Sequence, residues 1–323
     1  MTIDKLPSGK YRIRHTEDKK AYSLTVPYKP TTKEAWALIQ SKMNRTTDES
    51  ITLDDAMSKY IESKSNVLSP STLRAYDSYR RNLPDNLKAM DIKSIDDFTL
   101  QNYINKAAKD HKPKTLSNIY SFILSSIRLF YPKTVFYITL PQKTRPEAYT
   151  PSVDDVKRIF EYSEGSEYYV ALRLASMSLR LSEICALTLD DLKGNTLTIN
   201  KAYVQGIDGY TIKNVPKTDS SNRTIVIPGE LSERIQKQGY IYNKAPKMLY
   251  YHLGVAQDKL GIPRFGIHKL RHFFASYAHE LGYSDAQIQE IGGWSTDHVM
   301  KTVYRHAMEK DEAKKKIASD FDL

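Results

Sequence analysis

Residues 268–282 read HKLRHFFASYAHELG. Leu270, Phe273, Phe274, Tyr277, Ala278 and Leu281 recur at three- and four-residue steps, the spacing of one face of an α-helix. Arg271 lies off that stripe, and His268 sits one turn before it, near the helix start. Side chains one turn apart on a helix are neighbours, so these two can converge on one anion. A capping histidine and a solvated arginine fit the same residues, so the stretch has to be weighed with the rest of the chain.

Upstream, SLRLSEICALTLDDL (178–192) follows an apolar helical run and sets Arg180 one turn before Glu183. An arginine in apolar surroundings calls for a carboxylate partner or an anion. Between them, NVPKTDSSNRTIVIP (214–228) places Lys217 in a turn between two strand-like segments, where a side chain faces solvent or a ligand. Downstream, WSTDHVMKTVYRHA (294–307) carries Trp294 and Tyr304. A lone tyrosine at helical spacing is ordinarily packing; its meaning depends on what gathers around it.

The remaining chain divides by pattern. In KYRIRHTEDKKAYSLTVPY (10–28), Tyr11, Ile13 and His15 alternate with Arg12 and Arg14, and EDKK makes a polar turn before a second β-type run. TTKEAWALIQSKM (31–43) follows, with a threonine cap and Trp36, Ile39 and Met43 at helical spacing. This predicts a small sheet plus a helix over 1–49. Residues 50–139 read as four short helices. Leu53, Met57, Tyr60 and Ile61 share a face of the first, Arg74, Arg80 and Arg81 lie on the second, and the last ends at Pro132. LPQKTRPEAYTP (140–151) has three prolines and reads as an exposed linker. Residues 152–307 mix helices with the strand-like TLTINKAYV, YTIKNV and RTIVIP, and Ser152 and Asp155 are spaced as a capping box. The fold class is thus multidomain, mainly α with small β parts.

Lys and Arg number 48 against 38 Asp and Glu, a net charge of +10. Residues 1–49 carry 10 basic and 6 acidic residues, 50–149 carry 15 and 10, and 150–323 carry 23 and 22. The excess in the first half favours a polyanion as partner, since basic surface releases counterions from phosphates. Other chemistries fit poorly. Gly261 and Gly266 have P-loop spacing, but Ile267-His268 stands where Lys-Ser/Thr is required. His268 and His272 are spaced as in a zinc helix, with Lys269 where the metalloprotease base would be. Asp54-Asp55, Asp96-Asp97 and Asp190-Asp191 each sit at a helix start, where carboxylates serve as caps rather than metal ligands. One cysteine, Cys185, rules out a disulfide framework. No apolar leader core and no run approaching 18 apolar residues is visible, so neither export nor membrane spanning is expected.

Arg180-Leu181-Ser182-Glu183, Lys217-Thr218, His268-Lys269-Leu270-Arg271-His272, Gly293-Trp294 and Tyr304, in that order, resemble the tyrosine recombinase (phage integrase) family. The chain departs from the pattern at Ser178, where the family often has glycine, and at Trp294, where histidine is commonest. The stretch from Trp294 to Tyr304 is about one residue longer than in many relatives. The resemblance implies an arm-type DNA-binding domain (1–49), a helical SAM-like core-binding domain (50–139), a linker (140–151) and a catalytic domain (152–307). It implies Tyr304 as nucleophile and Arg180 and Arg271 as the phosphate-binding pair. His268 would be proton acceptor or phosphate ligand, Lys217 the general acid, Trp294 an N–H donor to a phosphate oxygen, and Glu183 the support of Arg180. The chemistry would pass through a 3′-phosphotyrosine without metal, cofactor or ATP. Expected partners are double-stranded DNA at core and arm attachment sites, a homo-tetramer on DNA with a Holliday junction, an excisionase and a host DNA-bending protein. The protein would act in the bacterial cytoplasm, on a phage or integrative element. The tail, 308–323, places Ile317 and Phe321 on a polar helix expected to pack on a neighbouring protomer. A topoisomerase-like strand-passage enzyme and a non-catalytic DNA-binding regulator on the same fold are the alternatives.

Overall fold

The structure, a computed structural model, describes residues 1–17, 20–46, 50–142, 149–214, 222–294 and 296; for Lys20 and residues 43–46 it describes the backbone alone. Lys217, Tyr304, the Glu17–Lys20 turn centre and the tail 308–323 therefore lie wholly or partly outside the described residues. Two compact units emerge: Met1–Glu62 with Tyr79–Pro141, and Ser63–Ser78 with the chain from Gln142 on.

In the first unit, β1 (Thr2–Lys5), β2 (Tyr11–Glu17) and β3 (Lys20–Val26) form an antiparallel sheet in that order. The period-two alternation holds: Ile13 is fully buried while Arg12 and Arg14 face solvent. Helix α1 (Thr32–Thr46) closes this layer, its start fixed by Thr31 and Glu34, which exchange side-chain and backbone hydrogen bonds. Ala35 and Ile39 of α1 meet Ile13 and Val26. Trp36, expected on the packed face, is partly exposed and sets its ring edge-on to His15 at 4.7 Å.

Five helices follow: α2 (Leu53–Ser63), α3 (Pro70–Asn82), the single turn α4 (Asp85–Lys88), α5 (Asp97–Ala107) and α6 (Pro113–Arg128). Leu53 and Met57 of α2, Leu100 and Ile104 of α5, and Leu116, Phe122 and Ile123 of α6 are buried. The acidic doublets cap helices as expected. Asp96 accepts from the Thr99 N–H, Asp55 from the Thr52 hydroxyl, and Asp54 pairs with Arg80 at 2.8 Å. That pairing takes up the charge of one of the three arginines on α3.

The second unit holds α7 (Val153–Ser163), α8 (Tyr169–Ser176), the single turn α9 (Leu181–Ile184) and β4 (Leu192–Lys193). Then come β5 (Thr196–Ile199), β6 (Ala202–Gly206), β7 (Gly209–Lys213) and β8 (Arg223–Val226). Helices α10 (Gly229–Gln238), α11 (Pro246–Leu260), α12 (His268–Glu280) and α13 (Asp285–Gly292) complete it. The strands make two antiparallel pieces, β4-β5-β8 and the hairpin β6-β7. The run read as one strand from Thr196 breaks after Ile199, and its second half belongs to the hairpin. Ser152 and Asp155 form the expected capping box, and the Tyr149 hydroxyl donates to Asp155, so the end of the proline-rich segment docks on α7 with Pro151 buried. One core runs through the unit: Ile159 of α7, Leu172 and Leu174 of α8, Leu197 of β5, Ile225 of β8, Ile235 of α10, Leu253 of α11 and Leu270 of α12. It fixes the end of α8 and the start of α12 around one point, where the polar residues gather, and a second cluster of Ala275, Ala278, Ile288 and Trp294 holds α13 against α12. Among the described residues no helix is long and apolar enough to cross a membrane.

Candidate functional site: an arginine cluster around one carboxylate

Arg180 precedes α9 with extended backbone, and Glu183 lies one turn on. Glu183 accepts from the Arg180 backbone N–H at 2.9 Å and from Nη1 at 2.6 Å, so one carboxylate caps the helix and fixes the arginine. Arg180 Nη2 donates to the Gly293 carbonyl at 3.1 Å, and about a third of its side chain remains accessible, 34%. Glu183 itself is buried. Burial alone would raise its carboxyl pKa; Arg223 and Arg180 outweigh that and hold it below its ordinary value.

Arg223 was not expected here. Its guanidinium, buried like Glu183, meets Glu183 Oε2 at 3.1 Å and Oε1 at 3.3 Å, and Nε donates to the Ile291 carbonyl at 2.9 Å. It thereby ties β8 to α9 and α13. The signal was in the sequence: in RTIV, Ile225 faces the core, so period two turns Arg223 the same way. A charged residue at an inward strand position calls for a partner.

Arg271 departs from expectation in the other direction. Placed off the apolar stripe, it is 1% exposed, and the buried face of α12 is Leu270, Arg271, Phe273, Ala275 and Ala278, while Leu281, read as part of the stripe, is exposed beyond the helix end. Its Nη1 donates to the Ser178 hydroxyl at 2.9 Å and to the Ser178 carbonyl, and Nη2 to the Gly293 carbonyl at 3.5 Å. Its guanidinium carbon lies 4.1 Å from the Trp294 ring centre. No carboxylate touches it among the described residues. Burial first, then the charge of Arg180, pulls its pKa down to about 9, which leaves it charged at neutral pH.

Trp294 is buried and stacked on Phe274 at 6.3 Å, so it serves as a shelf under the Arg271 guanidinium. Two glycines make that placement possible. Gly293 takes φ 62°, ending α13 and turning its carbonyl toward both arginines. At Gly292 a Cβ would run into the Trp294 ring.

His268 opens α12. Burial, then the charges of Arg271, Arg180 and Lys269, lowers its pKa, so it is neutral at pH 7 and able to accept a proton. His272, one turn on, sits edge-to-face with it at 4.9 Å, and burial, then the neighbouring His268, Lys269 and Arg271, push it down to about 4. Arg180, Glu183, His268, Arg271 and Trp294 are thus brought to one place. Lys217 and Tyr304 lie outside the described residues.

Counted as charges, the cluster holds three guanidiniums, one carboxylate shared by two of them and two neutral imidazoles. The surplus of two positive charges sits in a low-dielectric pocket with one arginine open to solvent, which is the electrostatic form of an anion site.

Residues 152–311 match the model of the Phage integrase family, and residues 52–108 that of the Phage integrase, N-terminal SAM-like domain, together about two thirds of the chain. A "Tyrosine recombinase XerC-like" protein of Caldanaerobacter subterraneus subsp. tengcongensis is 25% identical, covering 88% of each chain. Among solved structures, the Tn1549 transposon integrase in complex with transposon right end DNA is similar with a TM-score of 0.66 at 19% identity, over 83% of this chain and 99% of that one. A lambda integrase tetramer bound to a Holliday junction is similar with a TM-score of 0.63 at 16% identity, over 96% and 97%.

Proposed function

The chain belongs to the phage integrase family of tyrosine recombinases, enzymes that cut and rejoin DNA by transesterification, and from that premise we propose that it is a site-specific integrase of a phage or integrative element, working through a 3′-phosphotyrosine on Tyr304. The single observation that carries the reading is the surplus of positive charge gathered around one carboxylate: among the described residues Arg271 has no carboxylate against it, and Arg180 shares one with Arg223.

A phosphodiester gains negative charge as it passes to a phosphorane. Two planar guanidiniums offer paired N–H groups to the non-bridging oxygens and cost no reorganisation when held in advance. The Tyr304 phenol oxygen attacks phosphorus, the bond to the 5′-oxygen breaks, and that oxygen takes a proton. Neutral His268 accepts the phenol proton or binds a phosphate oxygen, and Lys217 supplies the proton to the 5′-oxygen. Trp294 supports Arg271 and can offer its indole N–H to the phosphate. The phosphotyrosyl bond retains the energy of the ester, so the reverse attack by a 5′-hydroxyl reseals a strand without an external energy source.

The proposed domain division is 1–49 for arm sites, 50–139 for core sites and 152–307 for chemistry, with a homo-tetramer on DNA and with an excisionase and a DNA-bending protein as accessory partners. Support comes from the relatives: one is in complex with transposon-end DNA and another is a tetramer on a Holliday junction. Covalent trapping tests the reading. Wild type and Tyr304→Phe are incubated with nicked duplexes carrying the element's junctions and resolved on a denaturing gel. An SDS-resistant adduct mapped to Tyr304, in the wild type alone, is expected. Wild type that binds the duplexes yet leaves no adduct would instead make the chain a DNA-binding regulator.

A further inference from the structure

The turn between α8 and α9 contains the one described non-glycine residue with a positive φ, Ser178 at 77°. This is backbone that glycine adopts freely and other residues adopt under constraint. Ser178 is also fully buried, with no exposed surface. A strained, buried position that keeps a side chain is held there by its surroundings, and such positions gather at functional sites.

The surroundings are specific. The Ser178 hydroxyl donates to the Gly292 carbonyl at 3.4 Å and accepts from Arg271 Nη1 at 2.9 Å. The Ser178 carbonyl accepts from the same Nη1 and from Arg223 Nη2 at 3.4 Å. One residue therefore binds the end of α13 on one side and the guanidiniums of α12 and β8 on the other. Donation to Gly292 leaves the hydroxyl lone pairs facing Arg271. Both acceptors of Ser178 fall on Nη1 and the Gly293 carbonyl takes one N–H of Nη2, so the second N–H of Nη2 and the Nε N–H are the donors left to meet an anion. The Trp294 ring fixes the plane of the guanidinium from its face.

We infer that Ser178 is a positioning residue for Arg271: its hydroxyl sets which edge of that guanidinium is presented to the scissile phosphate. The inference rests on the phosphate-binding reading of the cluster given above. A glycine at this position would satisfy the backbone and leave the Arg271 edge held by the carbonyl alone.

Ser178→Gly and Ser178→Ala separate the two features. The glycine variant relieves φ and removes the hydroxyl; the alanine variant keeps the strain and removes the hydroxyl. Each is measured in the full chain for melting temperature, for affinity toward a nicked core duplex, and for the single-turnover rate of covalent adduct formation at saturating protein. The expected result is that Ser178→Gly melts at or above the wild type and binds DNA as well, yet forms adduct about tenfold more slowly, the size expected when one hydrogen bond to a charged group is lost. Ser178→Ala is expected to be equally slow and to melt lower. Several results would overturn the inference: Ser178→Gly cleaving at the wild-type rate, a rate deficit that vanishes when protein is raised, or Ser178→Gly melting well below the wild type, which would make the hydroxyl a determinant of the fold. A wild type that forms no adduct removes the integrase reading itself; an active wild type with an equally active Ser178→Gly removes only this inference.

Discussion

Replacing Arg223 by methionine tests whether the arginine cluster is held together by one shared carboxylate. Methionine keeps much of the volume and removes the charge. The Arg223 and Glu183 side chains are 6% and 5% accessible, so water does not reach in to compensate. The variant loses the two contacts to Glu183 at 3.1 and 3.3 Å, the bond to the Ile291 carbonyl at 2.9 Å and the one to the Ser178 carbonyl at 3.4 Å. Removing one partner of a buried pair costs about 3–5 kcal/mol. Glu183 keeps Arg180, through Nη1 at 2.6 Å and the backbone N–H at 2.9 Å, which places the expectation at the lower end. For a domain of this size each kcal/mol moves the melting temperature by about 2–4 °C, so ~3 kcal/mol is a fall of about 6–12 °C. Calorimetry of the full chain reads it. Glu183→Gln supplies the pH arm. Glu183 is held below its ordinary value of 4.5, so its ionised form contributes stability in full above about pH 4.5 and loses it as pH falls through the lower folded pKa. The glutamine variant lacks that contribution at every pH, so its deficit against the wild type should shrink below pH 4.5. An Arg223→Met protein melting within two degrees or so of wild type, or a Glu183→Gln deficit unchanged from pH 7 to 3, would refute the shared-carboxylate account.

Two further outcomes follow from the same geometry. Gly292→Ala should push Trp294 off Arg271: in a Trp36→Phe background the emission of Trp294 should shift to the red, with a stability loss of about 1–3 kcal/mol from overpacking, and an unchanged spectrum would show the indole is not held there. His268 and His272 both have pKa values below the ordinary 6.5, so the unfolded chain binds their protons first and stability falls as pH drops below 6.5; adduct formation should hold through pH 6.5 and fall only at lower pH, as neutral His268 is lost in the folded chain, and a rate that rises as the pH falls below 6.5 would remove His268 as proton acceptor.

The sequence made some of this legible and hid the rest for physical reasons. Alternation in β2 and the Ser152–Asp155 box are local patterns, and both hold. Arg180 and Glu183 are one helical turn apart, so their pairing was readable from spacing. Arg271 is a phosphate-binding candidate by its place in the motif, but the helical period sets it off the apolar stripe and so does not show that it is buried. Its environment is set by Ser178 in the turn after α8 and by Gly293 and Trp294 past the end of α13, which leave no mark on the local period of α12. Arg223 carries no motif of its own beside Lys217 in the preceding turn, although the strand register alone turns it inward. Ser178 was visible as a departure from the family pattern, but its positive φ belongs to the backbone and not to the residue type.

The cluster also bears on how the cost of an anion site is distributed. Two buried guanidiniums and a half-buried one with a single carboxylate cannot be a stabilising arrangement by themselves, since each charge loses hydration and only part of that loss is returned by pairing. The structure returns it in neutral contacts: the carbonyls of Ser178, Gly293 and Ile291 and the face of Trp294. Carbonyl dipoles stabilise the cations without cancelling their charge, whereas a second carboxylate would cancel it. The pocket therefore keeps its net positive field for an incoming phosphate while remaining folded in its absence. The same logic explains why one carboxylate is present at all. Glu183 neutralises the repulsion between Arg180 and Arg223, one of which stays partly accessible and one of which is enclosed, and so lets the accessible arginine and Arg271 act as a pair.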